Sequence, residues 1–175
     1  MPNFFEGVWK TTRFLNESDL KIWKNAEITG SAYRCSGAYA YLEDFSKPKI
    51  IWKRIGSILR FGYDENGSMG LDSTCFATGK HLKYLCAIFN SNLGRYLMKD
   101  APKTGTGDLL VSVQAIEPLL IPFPSDTCLL DSLLDNQVKE ENIEVTNQIN
   151  QIVYNLYSLS DCERLYINSY ITQFQ

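Results

Sequence analysis

Nine residues have the chemistry to grip a polyanion: Lys49, Lys53, Arg54 and Arg60 in one stretch, and Arg95, Lys99, Lys103, Thr104 and Thr106 in a second. Ammonium and guanidinium groups neutralise phosphates, and threonine hydroxyls add neutral donors. An arginine can also read the edge of a guanine with two parallel hydrogen bonds. On a regular strand Lys49, Ile51, Lys53 and Ile55 share one face, and Ile50, Trp52 and Arg54 share the other. Lys53 and Arg54 therefore point in opposite directions unless a bulge intervenes, and at least one of them has a structural or merely solvated role. Arg95 and Lys99 close a helical pattern, where cations also complement the helix dipole. Lys103, Thr104 and Thr106 lie in the glycine-containing stretch DAPKTGTGD, which suits a loop that follows a phosphate backbone and equally suits a surface loop without a ligand.

Other chemistries find less support. His81 is the one histidine, and a first-turn surface position accounts for it better than a base paired with a nucleophile. The run KTGTGD lacks the aspartate that an aspartyl-phosphate motif places before the lysine, because Pro102 stands there. It is not a phosphate-binding P-loop either, since no Gly-Lys-Ser/Thr follows. The acid pairs Asp64-Glu65 and Glu140-Glu141 lack the lysine spacing of a metal-dependent nuclease. Five widely spaced cysteines with no CxxC pair suit reduced thiols rather than zinc or a disulfide framework. No catalytic residue, metal or cofactor is expected.

The net charge of −3 looks unpromising for nucleic acid. Its distribution does not. Residues 45–105 carry ten lysines and arginines against four acids, residues 1–44 five against six, and residues 106–175 two against ten. A basic middle beside an acidic tail is the pattern of a local phosphate-binding face, although chance asymmetry on solvated surfaces gives it as well.

The elements that must position these residues read as follows. KIIWKRI (49–55) and 58–63 alternate as strands, with Gly56-Ser57 as a tight turn and Trp52 buried. Asp64-Glu65-Asn66-Gly67 is a turn signal, followed by a strand over 69–78 in a strand–hairpin–strand unit. Leu82, Leu85, Cys86, Phe89 and Leu93 fall at helical spacing. The helix breaks at Asn90-Ser91, and a second helix runs over 92–99. Residues 109–113 and 119–123 read as short strands, the second fenced by Pro118, Pro122 and Pro124 and so at an edge. From Ser125 the pattern is helical. Ser160 with Glu163 forms a capping box for a last helix over 161–170. In the first 46 residues, 7–10 suit a short strand, 17–24 a helical turn, and the Tyr-rich 31–41 a buried strand or a recognition loop. The fold class is α+β: a small mixed sheet on helices over residues 1–125, then a helical region over 126–175 that packs on it or on a partner domain. No apolar run reaches the roughly 20 residues of a membrane span, and the N-terminus is not a signal sequence, so a cytoplasmic protein is the expectation.

PKIIWKRIG, FGYDENG, TGKHLKYLCAIFNSNLGRYLMK, LLIPFP (119–124) and INQIVYNLYSLSDCE (149–163) occur in that order. In order and spacing they resemble the TaqI-type specificity domain of restriction–modification enzymes over roughly residues 47–165. The resemblance implies a target-recognition domain that binds duplex DNA and reads a short sequence for an adenine-specific methyltransferase or a methyltransferase–endonuclease. The nine polar residues above would then face DNA. The tetrad Asn/Asp-Pro-Pro-Tyr/Phe, with which amino-methyltransferases hold a flipped base, is absent from this sequence, so the catalysis would belong to the partner. Two rivals come from other classes: a protein–protein interaction module using the acidic C-terminal helices, and a small hydrolase with His81 as base.

Overall fold

The computed structural model describes residues 46–68, 73–122, 126–139 and 142–173. The expectations for residues 7–10, 17–24 and 31–41, and for Cys35, lie outside them. The fold is α+β. Strands β1 (Lys49–Lys53), β3 (Phe61–Asp64) and β4 (Thr74–Thr78) form an antiparallel sheet in the order β3-β1-β4, and β2 (Ile55–Gly56) pairs with β5 (Leu109–Leu110) in a second, two-stranded sheet. The helices are α1 (Leu82–Asn90), α2 (Asn92–Leu97), α3 (Val113–Ile116), α4 (Cys128–Lys139), α5 (Ile143–Leu156) and α6 (Asp161–Gln173).

β1 is the central strand because its alternation supplies one wholly apolar face. Ile50 and Trp52 are buried there, with Cys75 and Ala77 from β4 and Phe61 from β3. Helix α1 lies across this face, where the Phe61 ring meets Trp52 at 5.5 Å and Phe89 at 5.0 Å between centroids. The Trp52 indole donates to the Val111 carbonyl (2.9 Å), tying the sheet to the chain beyond β5. Trp52→Phe removes that donor and some volume. It is expected to cost about 1–2 kcal/mol in urea denaturation. An unchanged midpoint would mean that neither the bond nor the packing matters.

Three expectations are corrected. Gly56-Ser57 is not a tight turn: β1 and β3 do pair antiparallel, but the chain between them leaves the first sheet at Arg54, whose amide donates to the Ser73 carbonyl and whose carbonyl accepts from Val111, both at 2.9 Å. That switch hands Ile55 and Gly56 to β5. β3 and β4 are not hairpin partners either, because β1 lies between them. Residues 119–122 form no strand, and 123–125 are outside the described residues. Prolines remove ladder donors there, and tyrosine hydroxyls take up two carbonyls instead: Tyr84 donates to Pro122, and Tyr157 donates to Leu120 at 3.0 Å.

The helix break is as the sequence predicts. The Ser91 hydroxyl accepts from the Gly94 amide (3.0 Å), and so caps α2. Half of the capping box forms: the Glu163 carboxylate accepts from the Ser160 amide at 2.6 Å, and the Ser160 hydroxyl donates to the same carboxylate at 2.6 Å instead of capping the helix amide. Helices α4 and α5 pack on α1, and α5 and α6 pack on α2. Leu130, Leu134, Ile149, Val153 and Ile167 thereby join the same core as Ile88 and Leu93. Partly buried polar bonds link the helices: Asn150 accepts from the Asn92 amide (2.8 Å), and Asn168 accepts from the Asn92 side chain (2.9 Å) and from the Tyr154 hydroxyl (2.6 Å). Satisfied bonds of this kind specify orientation as well as adding stability. They set α2 against α6.

Candidate nucleic-acid interface

Helices α2 and α6, the turn after β2 and the hairpin before β5 enclose a cleft of about 220 Å³. Arg95 and Lys99 reach it from α2, and Lys103 from the hairpin. Ile58, Leu109 and Tyr170 supply apolar wall. Three of the nine sequence-predicted residues thus meet in one concavity. Arg60, exposed after β2, adds a fourth positive charge close enough to Arg95 to act on it.

The electrostatics differ among these groups. Burial, then the Arg60 charge, pushes the Arg95 guanidinium down from its ordinary value. Its Nε is buried with no hydrogen-bond partner. For Lys99, burial acts to lower the ammonium, but the hydrogen bond and charge of Asp100 outweigh it and leave the value raised. Lys99 also lies over the Tyr96 ring, 4.9 Å from its centroid. Arg60, Arg95 and Lys103 enter no ion pair among the described residues. Such an arrangement can hold an anion. It offers no nucleophile with a base, and among the described residues no group of side chains could hold a metal.

The hairpin is built by its own side chains. Lys103 bridges Leu109, and Thr104 and Asp108 join through backbone (2.8 Å). The Thr104 and Thr106 hydroxyls bond each other at 2.8 Å, Thr106 donates to the Asp108 carboxylate at 3.1 Å, and Thr104 accepts from the Asp108 amide at 3.2 Å. These threonines therefore shape the loop that presents Lys103; their hydroxyls are engaged within it. These bonds place the two threonines as supports of the loop as well as candidate donors on its surface.

Lys49 is also corrected. It is fully buried, and its ammonium lies 2.6 Å from the Asp64 carboxylate on the neighbouring strand. A buried charge needs such a partner, and DNA cannot reach it there. Lys53 is exposed at the end of β1, outside the cleft. Arg54 is half-buried at the switch between sheets, and its Nε has no hydrogen-bond partner. Lys83, another charge of the basic stretch, is paired with Asp135 at 2.7 Å. No protein-family model and no curated protein matches this chain.

Sequence reasoning missed the apolar wall. Tyr170 lies far along the chain from Arg95, and its one local signal is its spacing of four from Tyr166. Both rings meet Tyr96 edge-on, at 5.2 and 6.0 Å between centroids. His81 is exposed just before α1, with a left-handed backbone (φ 56°). The buried Cys86 thiol is pushed up to about 12 by burial, which suppresses thiolate chemistry.

Proposed function

We propose that this chain is a DNA target-recognition domain of a restriction–modification system, working in the cytoplasm for a separate adenine methyltransferase or endonuclease part. The observation that carries the reading is the convergence of Arg95, Lys99 and Lys103 on one cleft, with Arg60 beside it. A net negative protein gains little from long-range attraction to DNA, so the gripping falls to a local concentration of cations, of which Arg60, Arg95 and Lys103 enter no ion pair among the described residues. The order of motifs resembling the TaqI-type specificity domain supports the same reading. The domain needs no cofactor and is not an enzyme on its own; the methyl donor would be held by the partner. Among the described residues no helix is long and apolar enough to cross a membrane, which is compatible with this setting.

Fluorescence polarisation against duplex DNA over a salt series tests the proposal. Affinity should fall steeply with salt, and Lys103→Ala and Arg60→Ala should each flatten the log–log slope by about 0.9, the share of one phosphate contact. Both residues are exposed, so their loss should leave thermal stability within about 0.5 kcal/mol. Absence of binding at low salt, or slopes that neither variant changes, would sink the reading. A second reading, a protein-interaction module, draws on the exposed Leu129, Ile143 and Leu165 of α4, α5 and α6. It predicts that absence of DNA binding.

A further inference from the structure

We propose that the cleft is a seat for one phosphate ester: the Arg95 guanidinium anchors the phosphate, Lys103 holds it from the hairpin, and the ester's sugar or alcohol rests on Ile58, Leu109 and Tyr170. This rests on the DNA-binding reading for its physiological ligand, a backbone phosphodiester. The site itself stands on the cleft's own geometry.

The argument begins with a deficit. Arg95 Nε is buried without a partner, and no carboxylate among the described residues pairs with its guanidinium. A buried donor on a charged group left unmatched is destabilising. The Arg60 charge adds to the strain, acting in the same direction as burial. An anion entering the cleft would neutralise the Arg95 charge, which lines it without an ion pair, and would offset the repulsion from Arg60. Phosphate suits the groups present, because a guanidinium fork bonds two of its oxygens and lysines complete the charge.

Size limits the rest of the ligand. At about 220 Å³ the cleft falls below the roughly 300–1,000 Å³ of a typical small-molecule pocket. It has room for a phosphate with part of its alcohol and not for a folded peptide element. Its lining includes Ile58, Leu109 and Tyr170 beside the cations, and such apolar surface suits the carbon face of a sugar. The neighbouring Lys99, already paired with Asp100, contributes general charge more than a dedicated contact.

The arrangement predicts opposite effects on stability and on binding. If Arg95 is an anion anchor held unmatched, Arg95→Gln should keep or raise the melting temperature without ligand. If Arg95 were a structural tie, the same change should lower it. Melting temperatures and calorimetric titrations would be measured for the full chain with inorganic phosphate, dimethyl phosphate and acetate at fixed ionic strength. The wild type should bind the phosphates and be stabilised by them, and acetate should do little. Arg95→Gln should weaken phosphate binding about tenfold or more, and Arg95→Lys less. Preference for dimethyl phosphate marks a backbone diester as the ligand, and preference for inorganic phosphate marks a terminal phosphoryl group. Loss of stability in Arg95→Gln with unchanged phosphate binding overturns the proposal. Duplex DNA supplies the separating arm. DNA binding that ignores Arg95→Gln, with no phosphate binding, removes this seat and leaves the DNA reading standing. Phosphate binding that needs Arg95, with no DNA binding at low salt, keeps the seat and removes the DNA reading.

Discussion

Replacing Gly94 by alanine is expected to destabilise the protein by about 3–5 kcal/mol and to lower its melting temperature by about 10 °C. A methyl group built there would run into the Ile88 carbonyl oxygen, and it would stand 2.8 Å from the Phe89 Cα and carbonyl oxygen. These are backbone atoms of the last turn of α1, so no rotamer change can make room. The close approach follows from the corner itself. Ser91 is extended, its hydroxyl donates to the Ile88 carbonyl (2.6 Å) and accepts from the Gly94 amide, and α2 is folded back against the end of α1. Opening the corner to fit a methyl group would break the cap and displace Leu93 from the core, and it would shift Arg95 away from the cleft. Gly105→Ala is the control: nothing lies within 4 Å of its methyl position. It should change stability by less than about 1 kcal/mol, in the favourable direction if it restricts the unfolded chain. Equal melting of the two variants by calorimetry would show that the corner is looser than its geometry implies.

That corner was legible in the sequence because its causes are local. Asn90 and Ser91 favour caps, and Ser160 with Glu163 spells a capping box within four residues. Alternation in KIIWK placed Ile50 and Trp52 on one face, and both are buried. Errors arose where long-range pairing decides. The turn signal at Asp64–Gly67 is real: the Asp64 carboxylate accepts from the Asn66 (3.0 Å) and Ser68 (2.9 Å) amides, and Gly67 takes a positive φ of 74°. A local signal cannot say which strand comes alongside, and here β1 separates β3 from β4. The cleft was half legible. Charge clustering pointed to Arg95, Lys99 and Lys103, but the apolar wall depends on α6 docking against α2 through Asn92 and Asn168. For the threonines, composition suggested a loop suited to a phosphate backbone, and it could not show the hydrogen bonds that Thr104, Thr106 and Asp108 make within the hairpin.

Lys49 shows how far one cross-strand neighbour can change a reading, and Asp64→Asn should expose the energetics. The variant keeps the shape of the side chain and one acceptor for the turn, but it removes the carboxylate charge that lies 2.6 Å from the fully buried Lys49 ammonium. Removing one member of such a pair costs about 3–5 kcal/mol, more than the intact pair contributes relative to an apolar replacement. The penalty should depend on pH in a defined way. Lys49 foremost, against the opposing effect of burial and with help from the Asn66 and Ser68 amides, holds the Asp64 carboxyl at about 2, below its ordinary 3.8. A folded value below the unfolded one means stability that is fully present above about pH 4 and lost as the pH falls from about 4 to 2. A shift of this size corresponds to about 2 kcal/mol. Urea denaturation of wild type and Asp64→Asn at pH 7 and pH 2.5 should therefore show a gap that narrows at the lower pH, because the wild type approaches the neutral state that asparagine mimics. Lys49→Met should cost less at pH 7, since the Asp64 carboxylate retains its bonds from Asn66 and Ser68. A gap for Asp64→Asn that is the same at both pH values would show that the charge of Asp64 is not what stabilises this end of the sheet.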